Sequence, residues 1–343
     1  IIDWFNKNGI NEPNLINYLD LVSLGTVCDV VPLIGLNRAI VKQGLKILKG
    51  KKNLGLKTLL DICKIESSPS IYHLGFMLGP RINAGGRVGK CSHGANLLLN
   101  TDPKNAFKLA SELDQFNKER QILEKDLLQK LLNETKDYSK DPVLVLSGYN
   151  WHEGIIGIVA ARLKDKFNKP VIIISINDKI GKASARSIVG FDIGSVIIAA
   201  TQDKILLKGG GHKMAGGFSI NIENIEKFKE FVFRKFRNIN EDITRDKPLY
   251  LDSVISPAAI NLEFYYKVNN LAPFGSGNPE PKFVIENLKT VNGKIVGEKH
   301  IKSVLIGMDG STIKTIAFNA VDNDVGAYLL KKNNKTFNIA GKL

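Results

Sequence analysis

The residues of this sequence that best suit chemistry lie at 209–218, GGGHKMAGGF, where a run of glycines precedes a histidine and a lysine. Glycine has no Cβ, so its backbone N–H group can approach a bound anion, and the histidine and lysine could add hydrogen bonds and charge. We therefore predict a phosphate-binding, glycine-rich turn. Its predicted phosphate contacts are Gly209, Gly210, Gly211 and Lys213, and its predicted catalytic side chain is His212. A glycine-rich hairpin before a strand at 217–220 is the alternative, and the pattern alone leaves both open.

A second candidate pocket lies at 182–187, KASARS, a segment with the pattern of a strand. Side chains alternate along a strand, so Ser184 and Arg186 should share one face. A hydroxyl and a guanidinium on one face can bind phosphate together.

Trp151 and His152 lie between a predicted strand at 143–146 and a predicted helix at 155–163. Strand-to-helix loops commonly hold ligand groups in open α/β sheets. Trp151 could stack on a base beside a groove, and His152 could contact a phosphate. Ordinary packing by the tryptophan and helix capping by the histidine are the alternatives.

Arg81 and Arg87 bracket the small residues of a predicted turn at 79–89, GPRINAGGRVG. A guanidinium is a planar fork with five donors, so either arginine could hold a phosphate bidentately. The alternative is a loop whose arginines donate to backbone carbonyls.

Asp29 lies where a predicted helix ends, because Pro32 forces the preceding residue out of the helical region. Its neighbours are apolar on both sides, so we expect a buried carboxylate that must pair, cap a helix or bind a metal ion. A capping or turn aspartate is the alternative on spacing alone.

Several of these segments together resemble the RecJ family of DHH phosphoesterases. The resemblance rests on GGGHKMAGGF, on WHEGIIG at 151–157, on SARS at 184–187 and on LAPFGSGNPEP at 271–281, and it runs nearly end to end. GGGHKMAGGF is similar to the signature of the DHH-associated domain. The family's single-strand-specific 5′→3′ DNA exonucleases imply metal-dependent phosphodiester hydrolysis in DNA repair and recombination.

The resemblance also implies roles for individual residues. Asp29 would be one ligand of a two-metal Mg²⁺ or Mn²⁺ cluster whose other ligands lie upstream in the family. An arginine of the 79–89 segment would contact DNA phosphate, which leaves Arg81 and Arg87 both open. Ser184 and Arg186 would form the pocket for a terminal 5′-phosphate. The implied partners are single-stranded DNA, a single-strand-binding protein and a helicase.

The predicted fold class is α/β plus all-β. Strand and helix alternate after residue 143, and short alternating segments with lysines follow residue 250, which suits an OB-fold that tracks single strands. The predicted parts are the C-terminal part of a DHH lobe at 1–100, a connector helix at 101–137, an α/β DHH-associated substrate-binding lobe at 138–238, and a truncated OB-fold β-barrel at 247–343.

Composition limits the classes of protein to which this chain can belong. The 343 residues are 43% hydrophobic and 24% charged, as in ordinary globular proteins, and no apolar run is long enough for a membrane span. We expect a cytoplasmic protein with no membrane partner. A net charge of +14 suits a polyanionic partner, although a lysine-rich genome would give the same excess. The three cysteines have no zinc-ligand spacing, so we expect core thiols.

Two other functions fit the same motifs. One is a DHH phosphodiesterase that acts on short oligonucleotides or cyclic dinucleotides, against which the basic C-terminal region argues. The other is a catalytically inactive member that only binds single strands. The sequence contains no Asp-His-His and its two ends look cut, so we expect a fragment that is inactive alone.

Overall fold

The computed structural model describes residues 2–11, 14–134, 141–237, 248–331 and 335–343. The chain forms two units, one made of residues 1–50, 69–74 and 247–343 and the other of residues 51–68 and 75–246. The predicted linker at 238–247 and the predicted boundary at 137–138 lie outside the described residues.

Helices form the N-terminal part of the first unit. Apolar residues at helical spacing form α2, which ends before Pro32 as predicted. Gly44 of the following helix lies so close to Ser23 of α2 that no Cβ would fit between them. The helices are α1 (Ile2–Lys7), α2 (Leu19–Cys28) and α3 (Gly35–Lys49).

The β-rich part of the first unit is built around one long strand. Its strands are β6 (Ser253–Val254), β7 (Phe283–Val296), β8 (His300–Ile306), β9 (Thr312–Ala317) and β10 (Phe337–Gly341), and its helices are α11 (Leu262–Asn269) and α12 (Asp324–Leu330). The order is β10-β7-β8-β9, with β6 parallel to β7. The short alternating segments expected after residue 250 are fewer and longer than the sequence suggests, because β7 runs on through charged residues that interrupt its apolar alternation.

In the second unit, helices pack on one long helix. The helices are α4 (Leu54–Ile62), α5 (Gly79–Val88), α6 (Ser92–Leu98) and α7 (Pro103–Glu134). Asp102 accepts a hydrogen bond from the Asn105 N–H at 3.0 Å and Pro103 is the first helical residue, so a capping side chain and a proline define where α7 begins.

The turn predicted at 79–89 is wrong, because these residues form helix α5. Pro80 suits the first turn of a helix. Gly85 and Ala84 are buried, and a Cβ on Gly85 would lie 2.8 Å from the Lys90 carbonyl oxygen and 3.2 Å from Leu113. The small residues therefore serve close helix packing, which overrides their low helix propensity.

A mixed sheet of five strands follows α7. Its elements are β1 (Leu144–Tyr149), α8 (Glu153–Phe167), β2 (Val171–Asn177), β3 (Ile180–Arg186), α9 (Ile193–Gln202), β4 (Lys208–His212), β5 (Ala215–Asn221) and α10 (Ile225–Arg237). The order is β1-β2-β3-β5-β4, in which only β1 and β2 are parallel. The predicted βαβ unit is β1-α8-β2, and the predicted α/β plus all-β class is confirmed.

The two faces of this sheet pack differently. Phe218 of β5 and Ile197 of α9 belong to a core that α10 completes with Phe228. On the other face, α8 packs against β2 and β3, and Leu131 of α7 joins that core. Alternation along β3 and β5 therefore turns Ala183 and Phe218 into the first core and turns their neighbours in sequence toward the α8 side.

The inner face of α7 carries an ion-pair network. Glu124 is 4% exposed and accepts from Arg120 Nη1 at 2.6 Å and from Arg162 of α8. The buried positions of this helix include Asn117 and Glu124 beside Leu113 and Leu127. Polar residues interrupt the inner stripe, so an apolar pattern could not locate it.

No described helix is long and apolar enough to cross a membrane. All three cysteines are free thiols, with Cys28 and Cys63 half-buried and Cys91 exposed.

Candidate phosphate-binding site

The α8 side of strands β3, β5 and β4 is a polar sheet face. Strand pairing places its residues in three rows, since directly paired residues point to the same face. The rows are Lys182–Ser219–Lys208, Ser184–Gly217–Gly210 and Arg186–Ala215–His212. A cavity of about 620 Å³ lies on this face and is also lined by Glu153 and Ile156 of α8. Cationic side chains thus surround a strip of small residues.

The glycine cluster is one strand of a β-hairpin, so the predicted glycine-rich turn is wrong as a description of the backbone, while its phosphate contacts stay a prediction. Gly209, Gly210 and Gly211 lie in the edge strand β4, and the turn is formed by Lys213 and Met214. A Cβ on Gly209 would lie 2.6 Å from Ile197, and one on Gly211 would collide with the backbone of β5. A Cβ on Gly210 would meet nothing within 4 Å. Two glycines therefore permit close packing, and Gly210 opens onto the cavity.

His212 and Lys213 are exposed at the end of this hairpin. His212 Nδ1 accepts a hydrogen bond from the Met214 N–H at 3.3 Å, which orients the ring. Strand pairing sets His212 in the same row as Arg186, so the two side chains share one face of the sheet.

Ser184 and Arg186 share a face of β3, as predicted. Arg186 Nη1 donates to Ser184 Oγ at 3.1 Å and to the Ala185 carbonyl at 2.8 Å. A Cβ on Gly157 of α8 would lie 2.8 Å from Ser184 Oγ and 2.9 Å from Arg186 Nη2, so this glycine makes room for both side chains. Burial, and then the charge of Arg87, lower the pKa of Arg186. An anion at this position would offset both effects.

Arg87 reaches the same helix from the end of α5. Its Nη1 donates to the Gly154 carbonyl at 2.9 Å, and Gly154 lies three residues before Gly157 on α8. Burial, and then the charge of Arg120, lower the pKa of Arg87. Arg87 and Arg186 therefore approach α8 at residues three apart near its N-terminal end, where the helix dipole also favours an anion.

Arg81 is held differently. Its Nε donates to Asp114 at 2.8 Å and its Nη1 to the Met77 carbonyl at 2.8 Å, with the side chain 18% exposed. Burial opposes ionisation of Asp114, but hydrogen bonds from Lys118 and Arg81 outweigh it and lower the pKa of the carboxyl. Arg81 is thus committed to a structural ion pair, whereas Arg87 is bound only to a carbonyl in the described part of the chain.

Trp151 and His152 make the packing and capping contacts that the sequence left as an alternative. His152 is the N-cap of α8, and its Nδ1 accepts from the Gly154 N–H at 3.1 Å. Trp151 is half-buried against the core below α8, with Lys130 Nζ 5.8 Å from its ring centroid. Both residues also line a second cavity of about 710 Å³ together with Arg87 and Glu153. Base stacking by Trp151 and phosphate contact by His152 stay predictions.

Lys182, Lys208 and Ser219 are members of the polar face that sequence reasoning missed. Each lies two residues along a strand from a residue of the polar face, so period-two counting from Ser184, Gly210 and Gly217 would have found them. Glu153 carries the opposite charge and pairs with Lys182 Nζ at 2.9 Å.

Asp29 caps the C-terminal end of α2, as the sequence indicated, but the expected burial is wrong. Asp29 is exposed and its carboxylate makes no hydrogen bond or ion pair with a described residue, while Asp20 is the buried acid of this helix. A free carboxylate fits a divalent cation as one ligand. Among the described residues, no three His, Cys, Asp or Glu side chains gather into a metal site, so the implied two-metal cluster cannot be assembled from them.

Comparison with known proteins agrees with this architecture. Residues 140–238 match the DHHA1 domain and residues 251–343 match the RecJ OB domain. The chain is 34% identical over 327 residues to the single-stranded-DNA-specific exonuclease RecJ of Dickeya dadantii, covering 92% of this chain and 57% of that protein. For RecJ of Escherichia coli the identity is 34% and the coverage 92% and 56%. The chain thus spans about half the length of the curated relatives that it matches.

Solved structures give the same result. The structure of RecJ from Thermus thermophilus in complex with Mg²⁺ matches with a TM-score of 0.82 at 28% identity, over 99% of this chain and 50% of that one. The complex of the same protein with Mn²⁺ matches with a TM-score of 0.83. Two matched domains, curated relatives along most of the chain and a structural match over nearly all of it lead to one conclusion: the chain belongs to the RecJ family.

Proposed function

We propose that this chain is the substrate-binding part of a metal-dependent 5′→3′ exonuclease that degrades single-stranded DNA in repair and recombination. Two features support the proposal. The curated relatives are single-stranded-DNA-specific exonucleases, and the chain carries the DHH-associated and OB domains of that family. The observation that carries the proposal furthest is the pair of guanidinium groups at the N-terminal end of α8.

The pair suits a terminal phosphate better than an internal one. A terminal monoester carries close to two negative charges at neutral pH, whereas an internal diester carries one. Within the described residues, Arg186 donates only to Ser184 and Ala185, and no carboxylate pairs with it. We propose that Ser184, Arg186 and Arg87 bind the 5′-phosphate, and that Arg81 has a structural role.

The polar sheet face continues from this pocket toward β4. We propose that the backbone of Gly210, with the neighbouring Gly209 and Gly211, admits the next phosphate close to the sheet, and that His212 and Lys213 orient it. His152 would add a phosphate contact and Trp151 a base contact at the adjoining cavity. These groups bind and orient the strand so that the scissile phosphate is held in one position.

Mg²⁺ or Mn²⁺ would supply the hydrolytic chemistry, which is activation of water and stabilisation of the leaving oxygen. The solved structures of Thermus thermophilus RecJ are complexes with these two ions. Asp29 would donate one carboxylate ligand. The remaining ligands would come from residues other than those described here.

We propose four functional parts with the boundaries 1–100, 101–137, 138–238 and 247–343, of which the last tracks the strand beyond the pocket. Lysines are frequent along its strands, with Lys289 and Lys294 on β7 and Lys302 on β8. A single-strand-binding protein and a helicase are the proposed protein partners. DNA processing and three free thiols both suit the cytoplasm.

This chain alone should bind single-stranded DNA and fail to degrade it, because a catalytic metal cluster needs more ligands than the described residues bring together. The measurement is nucleotide release by the purified chain with Mn²⁺, beside a binding assay on the same preparation. Affinity should fall steeply and linearly in log–log form with salt. Metal-dependent release by a preparation free of host nuclease would contradict the expectation.

Gly210→Ala and Gly211→Ala form a matched pair. Gly210→Ala should fold normally, since its Cβ meets open space, but should weaken binding of a phosphorylated oligonucleotide several-fold, because the methyl group would occupy the phosphate's approach. Gly211→Ala should instead destabilise the fold by about 1–3 kcal/mol, since its Cβ would meet the backbone of β5. Denaturant unfolding and fluorescence titration measure the two effects. If Gly210→Ala bound the oligonucleotide with wild-type affinity, the glycine strand would not be part of the phosphate-binding site.

Arg186→Ala in the full-length enzyme should lower the preference for 5′-phosphorylated over 5′-hydroxyl strands by about tenfold or more, since a charge-assisted hydrogen bond is worth roughly 1.5–3 kcal/mol. The measurement is the ratio of kcat/KM for the two substrates. Arg186→Lys is the control, because it keeps the charge and loses the fork. Equal loss on both substrates would make Arg186 a general backbone contact and move end recognition to Arg87.

A further inference from the structure

The loop at 271–281 in the first unit packs on the segment that follows Asp29. The Leu33 N–H donates to the Ser276 carbonyl at 2.6 Å. A Cβ on Gly275 would lie 2.7 Å from Leu33, and one on Gly277 would lie 3.0 Å from Pro32. Two distant parts of the chain are therefore in direct contact at this point.

Arg38 of α3 also binds this loop. Its Nη2 donates to the Leu271 carbonyl at 2.5 Å and to the Ala272 carbonyl at 3.4 Å. Its Nε is buried and has no hydrogen-bond partner among the described residues. A buried donor without a partner costs free energy, so the contacts of Nη2 are what keep the guanidinium in this place.

The loop is itself closed by hydrogen bonds. Asn278 Nδ2 donates to the Leu271 carbonyl at 3.0 Å and to the Pro273 carbonyl at 2.9 Å. Gly275 and Asn278 also exchange backbone hydrogen bonds at 2.9 and 3.1 Å. Internal hydrogen bonds thus stabilise the loop where it contacts α3 and the segment before α3.

The segment that the loop holds is strained next to Asp29. Val30 has φ = 55°, in the left-handed region, and is 69% exposed. A β-branched residue is unfavourable in this region and stays there only when its surroundings force it. The segment is fixed on one side by the Val31 N–H, which donates to the Thr26 carbonyl at 3.1 Å, and on the other by the Leu33–Ser276 hydrogen bond.

We propose that Arg38 and the loop at 271–281 position the Asp29 carboxylate by holding Val30 in its strained conformation. Arg38 is in this view a positioning residue that acts through the loop. The inference rests on the proposed function only in taking Asp29 as a metal ligand, since the strain and the contacts that hold it are independent of that role. A loop within the strand-tracking part would thereby set the geometry of a ligand in the metal-binding part.

Arg38→Met in the full-length protein removes the donors and keeps much of the side-chain length. Hydrogen exchange of residues 29–37 should become at least about tenfold faster, and Mn²⁺ affinity should fall by roughly 10–100-fold, as on loss of other groups that orient a metal ligand. DNA affinity without metal should not change. Adding Val30→Gly should restore most of the Mn²⁺ affinity, because glycine adopts positive φ without strain.

Lys267→Met is the matched control, because it removes an exposed lysine that pairs with Glu263 in the same unit and should change neither quantity. Should Arg38→Met fold poorly, Asn278→Ala loosens the loop without touching α3 and gives the same test. Faster exchange with unchanged Mn²⁺ affinity would overturn the positioning role, and failure of Val30→Gly to rescue would overturn the role of strain. Absence of Mn²⁺ binding by the wild type would refute the proposed function, while the exchange data would still decide whether the loop holds the segment.

Discussion

The site depends on the packing of the Arg87 and Arg186 side chains against the N-terminal part of helix α8. The Gly154 carbonyl accepts from Arg87 Nη1, and a Cβ on Gly154 would collide with the backbone carbonyl of Arg87. A Cβ on Gly157 would collide with Ser184 Oγ and Arg186 Nη2. Glycine inside a helix costs roughly 0.5–1 kcal/mol relative to alanine. Burial lowers the pKa of both Arg87 and Arg186, and the charge of a neighbouring arginine lowers each further, so a bound anion would stabilise both charges. These features support the proposed anion site.

Strand alternation connects this site to the rest of the molecule. The residues that follow and precede Ser184 on β3 are Ala185 and Ala183, which belong to the core under α9 and α10. The same sheet therefore has one face that stabilises the fold and one that carries the proposed phosphate contacts. In the first unit, Val30 beside Asp29 adopts a strained backbone conformation that costs about 1–3 kcal/mol. The hydrogen bonds of Val31 and Leu33 hold it there.

The sequence predicts those parts of the molecule whose side chains follow a simple period. The βαβ unit, the shared face of Ser184 and Arg186, the start of α7 and the end of α2 all follow from spacing or from one proline or cap. Glycines have no side chain and so contribute no hydrophobic periodicity. The sequence therefore wrongly predicts turns at β4 and α5, whose conformations are set by tertiary packing. Glu124 can be buried because Arg120 and Arg162 pair with it. The apolar periodicity of a single helix cannot reveal a pair such as Glu124–Arg162, whose partner lies on another helix. The metal-binding role of Asp29 follows from resemblance and the phosphate contacts follow from side-chain chemistry together with resemblance, and both stay proposals.

The central claim is that the arginine pair at α8 recognises a phosphate at the 5′ end of a strand and not merely negative charge. Its most direct test is the affinity of this chain, without metal and at fixed salt, for oligothymidylates of one length with a 5′-phosphate, a 3′-phosphate or neither. The two phosphorylated strands have the same net charge, so long-range attraction cannot separate them. The account predicts that the 5′-phosphorylated strand binds about tenfold more tightly than both others. Equal affinity for the 5′- and 3′-phosphorylated strands would contradict it.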